Sequence, residues 1–218
     1  MVTVSEDGSA VEVDLIEGRL GCPRCGGRLR PWGSSRVREV RQGLGGGGRR
    51  VRHRPRRARC AGCGGTQVLL AVSLAVRRAD AAAVIGAAVE AKVVRGWGHR
   101  KIAAWLGRPV STVRGWLRAF VGSAGVMVEA FAALVVRHAP DAAAVWPAPN
   151  QDPGARALAV LGAYAVAVAR RFGVGTLAWV RAAIAATSGR LFSAPWWVRV
   201  GQHELTLTPA PASASGSR

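Results

Sequence analysis

The sequence predicts a mainly α-helical protein with a small β unit near its N-terminus. Three observations predict it: two paired-cysteine motifs in a Gly- and Arg-rich stretch, helical periodicity from residue 74 onward, and an Ala/Val-rich final third. At 218 residues and 50% hydrophobic composition, the chain has enough apolar material for a packed core, so it is not a disordered polycation.

Charge divides the chain as sharply as composition does. The formal net charge is +19, from 31 Lys and Arg against 12 Asp and Glu. Residues 21–123 carry all of that excess, because residues 1–20 (−4) and 124–218 (+4) cancel. Such a basic segment suits a polyanion, either nucleic acid or an anionic membrane surface. The acidic start MVTVSEDGSAVEVD predicts no signal peptide. The best apolar run, Ala119 to Val136, carries Glu129 near its centre, where a span would tolerate a carboxylate poorly. The expectation is a cytoplasmic, nucleoid-associated protein with no membrane partner.

Residues 1–17 form an acidic lead, with strand-like alternation in VEVDLIE. Next comes CPRCGG, with Cys22 and Cys25, and then CAGCGG, with Cys60 and Cys63. Two residues between thiolates let both sulfurs reach one tetrahedral ion at about 2.3 Å, and the following glycines permit the tight turns. Two such pairs supply the ligands of one closed structural zinc site. Paired disulfides, a redox CxxC and an iron centre are the alternatives. Between the pairs, arginines at alternate positions suggest strands, and Gly45 to Gly48 a hairpin tip. Residues 18–72 therefore read as a zinc ribbon. Its arginines, Arg52, Arg54, Arg56 and Arg57 among them, are expected to lie against phosphates, unless they form only a solvated face.

Residues 74–122 carry the second motif. A helix from about Ala79 to Val94 turns Ile85, Ala88, Val89 and Val93 inward, and GHRKIAAWLGRPVSTVRGWLRAF follows it. That stretch fits a helix-turn-helix template beginning at His99. Ile102, Leu106, Val113 and Trp116 fall on core positions, Ala103 where the helices cross, and Gly107 where the turn needs positive φ. Arg108 falls where the template is often apolar. Ser111 is the expected N-cap of the second helix, whose Val113, Trp116, Leu117 and Phe120 face inward. Ser111, Thr112, Arg114, Gly115 and Arg118 then face outward into a DNA major groove. Arg114 is the candidate for bidentate guanine readout, with Arg118 one turn later. His99, Arg100 and Lys101 would touch the phosphate backbone of double-stranded DNA.

CPRCGG, RPRRARCAGCGGTQVLL and GHRKIAAWLGRPVSTVRGWLRAF together resemble the N-terminal DNA-recognition region of insertion-sequence transposases. They resemble more closely a family of GC-rich bacteria that joins such a ribbon to a homeodomain-like helix-turn-helix. The resemblance covers residues 18–122. It implies DNA binding, with Cys22, Cys25, Cys60 and Cys63 as metal ligands and the helix beginning at Ser111 as recognition helix.

Residues 123–200 read as a helical region with helices near Val126–Arg137, Ala155–Arg171 and Thr176–Thr187, interrupted by the Pro-rich loop after His138. Their small residues suit close packing, either over the helix-turn-helix or in a homodimer. ARRFGVGTLAWV, from Ala169 to Val180, faintly echoes the same template and raises a second reading helix. Trp196 and Trp197 read as bundle anchors, and residues 201–218 as a disordered tail. The acids after residue 123, Glu129, Asp141, Asp152 and Glu204, form no metal-binding catalytic triad, so no enzyme is expected. The functional expectation is a sequence-specific DNA-binding protein, a transcriptional regulator or an accessory of a mobile element. The alternative is a protein-docking, structural zinc-ribbon module with only nonspecific nucleic-acid adhesion.

Overall fold

The computed structural model describes residues 1–45, 48–139 and 141–193. Trp196, Trp197 and the expected tail from residue 201 lie outside the described residues. Among those described the protein is mainly α-helical with a small β region, in the order β1 (Val2–Val4), α1 (Gly8–Ile16), β2 (Leu29–Ser34), β3 (Arg38–Gln42), β4 (Arg49–His53), β5 (Arg56–Cys60), β6 (Thr66–Ala71), α2 (Ala82–Val93), α3 (His99–Leu106), α4 (Val110–Gly122), α5 (Ala124–His138), α6 (Pro153–Phe172) and α7 (Trp179–Ala186).

The β region contains two sheets. Strands β1, β6, β5 and β2 form a four-stranded sheet in that order, while β3 and β4 form a separate antiparallel hairpin. Only β1 runs parallel to its neighbour, β6. The N-terminal segment thus belongs to the cysteine-bearing sheet. Its VEVDLIE stretch, expected to alternate as a strand, is instead helical. The Asp7 side chain caps α1 by accepting from the amides of Ser9 and Ala10. Val11 and Leu15, one turn apart, are then buried against Leu20, Leu29, Ala58, Cys60 and Leu69. An i, i+4 pair over a sheet prevails over the local alternation.

Helices α2 to α7 share a larger core with β6 and the segment leading to α2. Ile85, Ala88 and Val89 of α2 are buried as expected, while Val93 is half-buried. The helix begins later than predicted, because residues 79–81 pair with β3 through Arg41 N to Ala79 O (2.8 Å) and Ala81 N to Arg41 O (3.0 Å). Helices α3 and α4 are joined by a short turn in which Gly107 takes φ 62° and ψ 41°. Helix α4 begins at Val110 with Pro109 before it, so Ser111 lies in its first turn and is not its N-cap. Proline's fixed φ is preorganised for a helix start, and its carbonyl accepts from Val113 N at 3.2 Å.

The last helices cover this unit. Helix α6 packs on α5, with the Phe131 and Tyr164 rings 5.1 Å apart. Helix α7 lies against α2, its Trp179 indole N–H donating to Glu90 at 2.6 Å. The predicted echo of the template reproduces one local feature, since Gly173 also takes a left-handed conformation after α6. The helix that follows is no reader: of α7 only Arg181 is exposed and Ala185 half-buried. Too many of its positions are apolar for an outward face. No helix among the described residues is long and apolar enough to cross a membrane, and the apolar run over α4 and α5 bends by 59° at Ser123.

Candidate metal centre and nucleic-acid interface

Each cysteine pair is held by the same backbone pattern. In the first, Cys22 N donates to Gly27 O and Gly26 N to Cys22 O, both at 2.8 Å. In the second, Cys60 N donates to Gly65 O at 2.9 Å and Gly64 N to Cys60 O at 3.1 Å. The two loops come together because Leu29 of β2 pairs with Cys60 of β5, and Ala61 N donates to Arg28 O.

All four sulfurs lie within 4.8 Å of one another. Cys22 and Cys63 Sγ are 3.8 Å apart, and Cys25 and Cys60 Sγ 3.4 Å. These separations are far beyond a disulfide bond of about 2.05 Å. They match the edge of a sulfur tetrahedron around a central ion, about 3.8 Å for metal–sulfur bonds of about 2.3 Å. A Cβ on Gly27 would stand 3.0 Å from Cys60 Sγ and 3.3 Å from Cys25 Sγ, so only glycine leaves the sulfurs room. Electrostatics point the same way. The Cys63 backbone N–H draws the Cys60 thiol down to about 6. The Gly27 amide favours a Cys25 thiolate, yet the sulfurs of Cys60, Cys63 and Cys22 together with desolvation push Cys25 up to about 11. Four thiolates this close repel one another unless a cation sits among them. The cluster can hold a metal ion.

The sequence-predicted contact residues fall on three surfaces. On α4, Ser111, Arg114, Gly115 and Arg118 are exposed and Thr112 half-buried, while Val113, Trp116 and Phe120 are buried beneath them. At the start of α3, Arg100 and Lys101 are exposed and His99 half-buried. Lys101 Nζ lies 4.4 Å from the Trp97 ring centre, and the Arg95 guanidinium stacks over both Trp97 (5.1 Å) and Trp105 (5.5 Å). On the hairpin side, Arg52 and Arg54 are exposed, and Arg57 is exposed on β5. Arg56 departs from the expected phosphate face. It is half-buried, its guanidinium paired with Glu12 of α1 and donating to Gly33 O at 3.0 Å. Next to Arg57 on a strand it must point to the opposite side of the sheet, where α1 lies.

The most consequential group missed by sequence reasoning joins the hairpin to the α3–α4 turn. Asp80, whose side chain is 3% exposed, accepts from Arg108 Nε at 2.5 Å and from Arg41 Nη2 at 2.7 Å. Arg108 also donates to the carbonyls of Leu106 (2.9 Å), Gly107 (3.3 Å) and Gly43 (3.4 Å). The position where the template is often apolar thus holds a buried cation that ties the glycine turn to the hairpin. The available signal was Asp80 itself, an isolated acid in a strongly basic stretch.

Comparison with family models, curated proteins and solved structures finds no match to this chain.

Proposed function

We propose that this protein binds double-stranded DNA sequence-specifically, as a transcriptional regulator or an accessory of a mobile element. In this reading α3 and α4 are a homeodomain-like helix-turn-helix, and the four cysteines hold one structural zinc ion in a basic ribbon. The observation that carries it is the two-sidedness of α4. Three large side chains at i, i+3 and i+7 are buried, and the outward side carries Ser111, Arg114, Gly115 and Arg118 with no acid among them. A helix of that shape fits the major groove, with arginine placed for guanine and small residues allowing close approach. Zinc is the metal that a closed set of four thiolates most commonly takes, and iron is the other that fits this geometry.

The resemblance to transposase DNA-recognition regions supports the same reading, as does the concentration of all nineteen net positive charges in residues 21–123. A random-duplex selection on the metal-loaded protein is expected to enrich one motif, with log affinity falling by about 0.9 per phosphate neutralised as salt rises. Steep salt dependence without an enriched motif would instead favour a docking module with nonspecific adhesion. Arg114→Ala is expected to relax one position of the motif, losing about 1–3 kcal/mol of discrimination there. An unchanged motif removes Arg114 from base readout.

A further inference from the structure

The four-stranded sheet has one covered face and one open face. Leu29, Ala58, Cys60 and Leu69 face α1. Arg30 and Arg59 stand directly opposite each other across β2 and β5 on the other side, with Arg57 two residues from Arg59. All three are exposed, and no acidic side chain pairs with them among the described residues. The acids close in sequence are engaged elsewhere, Glu12 with Arg56 and Glu39 with Arg50. Arg59 Nε donates to Gly64 O at 3.2 Å, but like charges facing each other across strands destabilise a sheet, so the arrangement costs stability.

An aromatic side chain lies on the same face, beside a local irregularity. The β2–β5 register shifts between Pro31 and Gly33, so that Trp32 is the extra residue against Arg57, and Gly33 takes φ 114°. Trp32 shares the side of Arg30, two residues before it, by strand alternation, and the Arg59 guanidinium lies 4.7 Å from its ring centre. Trp32 remains 52% exposed. Arginines for phosphates beside an exposed indole are the two components of single-strand recognition. A base stacks on an aromatic ring only when it is not already stacked within a duplex.

We propose that this face, Arg30, Trp32, Arg57 and Arg59, binds an unpaired DNA strand, with phosphates on the arginines and a base on the Trp32 ring. The choice of DNA over RNA rests on the duplex-reading function above; the single-strand preference does not. The protein would then hold a duplex on α4 and an unpaired strand on the ribbon.

The test uses the full-length, metal-loaded protein, with fluorescence anisotropy of a labelled oligothymidine of about 12 nucleotides, the same strand in a duplex, and the corresponding oligouridine. Trp32→Leu is expected to weaken oligothymidine binding about tenfold while leaving duplex binding unchanged, and Trp32→Phe to retain most of the single-strand affinity. Unchanged single-strand binding by Trp32→Leu overturns the proposal, as does an equal loss on single and double strands. Tighter binding of oligouridine overturns the assignment to DNA. Should Trp32→Leu not fold, photocrosslinking of wild-type protein to a strand carrying 5-iodouracil decides: a crosslink to Trp32 is expected, and one confined to α4 refutes the site. Duplex selection through Arg114 can fail or succeed separately from each of these outcomes.

Discussion

Removing the metal with a strong chelator is expected to unfold the ribbon while the helical region remains folded. The ribbon core is small: Val11, Leu15, Leu20, Cys22, Leu29, Ala58, Cys60 and Leu69. So few buried side chains cannot offset the chain entropy of the four-stranded sheet and α1. Apparent zinc-binding energies for small modules of this kind are on the order of 10–16 kcal/mol, more than such a core contributes. Helices α2 to α7 have an independent core containing Ile85, Leu106, Trp116, Phe131 and Tyr164. The boundary should fall within β6, where Leu69 belongs to the ribbon core and Leu70 to the helical one. Hydrogen exchange after chelation should therefore show lost protection in α1, β2 and β5 and retained protection from α2 onward. Cys60→Ser should reproduce the pattern, since Cys60 is both a member of the four-sulfur cluster and a buried core residue. Full protection of β5 in the metal-free protein would contradict a structural metal.

Asp80→Ala is expected to destabilise the protein by about 3–5 kcal/mol, because it leaves the buried Arg108 guanidinium without its counter-charge. Arg41 is the less affected partner, since it is more exposed and reaches water. Replacing both members of the buried pair, Asp80→Leu with Arg108→Met, should recover most of the loss, as apolar residues of similar volume often do in place of a buried ion pair. Denaturant midpoints at constant slope measure both effects. A loss below about 1 kcal/mol for Asp80→Ala would mean that the pair is effectively solvated and contributes no more than a surface bridge. In the single variant, the β3–β4 hairpin should also lose hydrogen-exchange protection, because the Arg108 contact with Gly43 O depends on the same guanidinium.

These two expectations divide along what was legible in the sequence. The cysteine spacing revealed the four-cysteine cluster because a C-x2-C turn is local, and two such turns only have to meet. The inward positions of α3 and α4 were legible for the same reason: a 3.6-residue period and a glycine turn are properties of a short segment. The acidic lead misled, because VEVDLIE alternates well enough for a strand. Only the sheet beneath Val11 and Leu15, together with the Asp7 cap, makes it a helix. Arg108 looked like a poor match to its template until Asp80, 28 residues earlier, was placed beside it.

Sequence by itself determined the four clustered cysteines, the outward and inward sides of α4, and the concentration of charge between residues 21 and 123. Each of these follows from spacing within a turn or two, or from composition. Tertiary structure decided which arginines are free. Arg56 is paired under α1, and Arg108 is buried with Asp80. Arg30, Arg57 and Arg59 are exposed on the Trp32 side with no acidic partner among the described residues, Arg59 donating to Gly64 O. Nothing in a run of arginines separates these fates. Strand pairing and two distant carboxylates, Glu12 and Asp80, determine which guanidinium groups remain available to a polyanion.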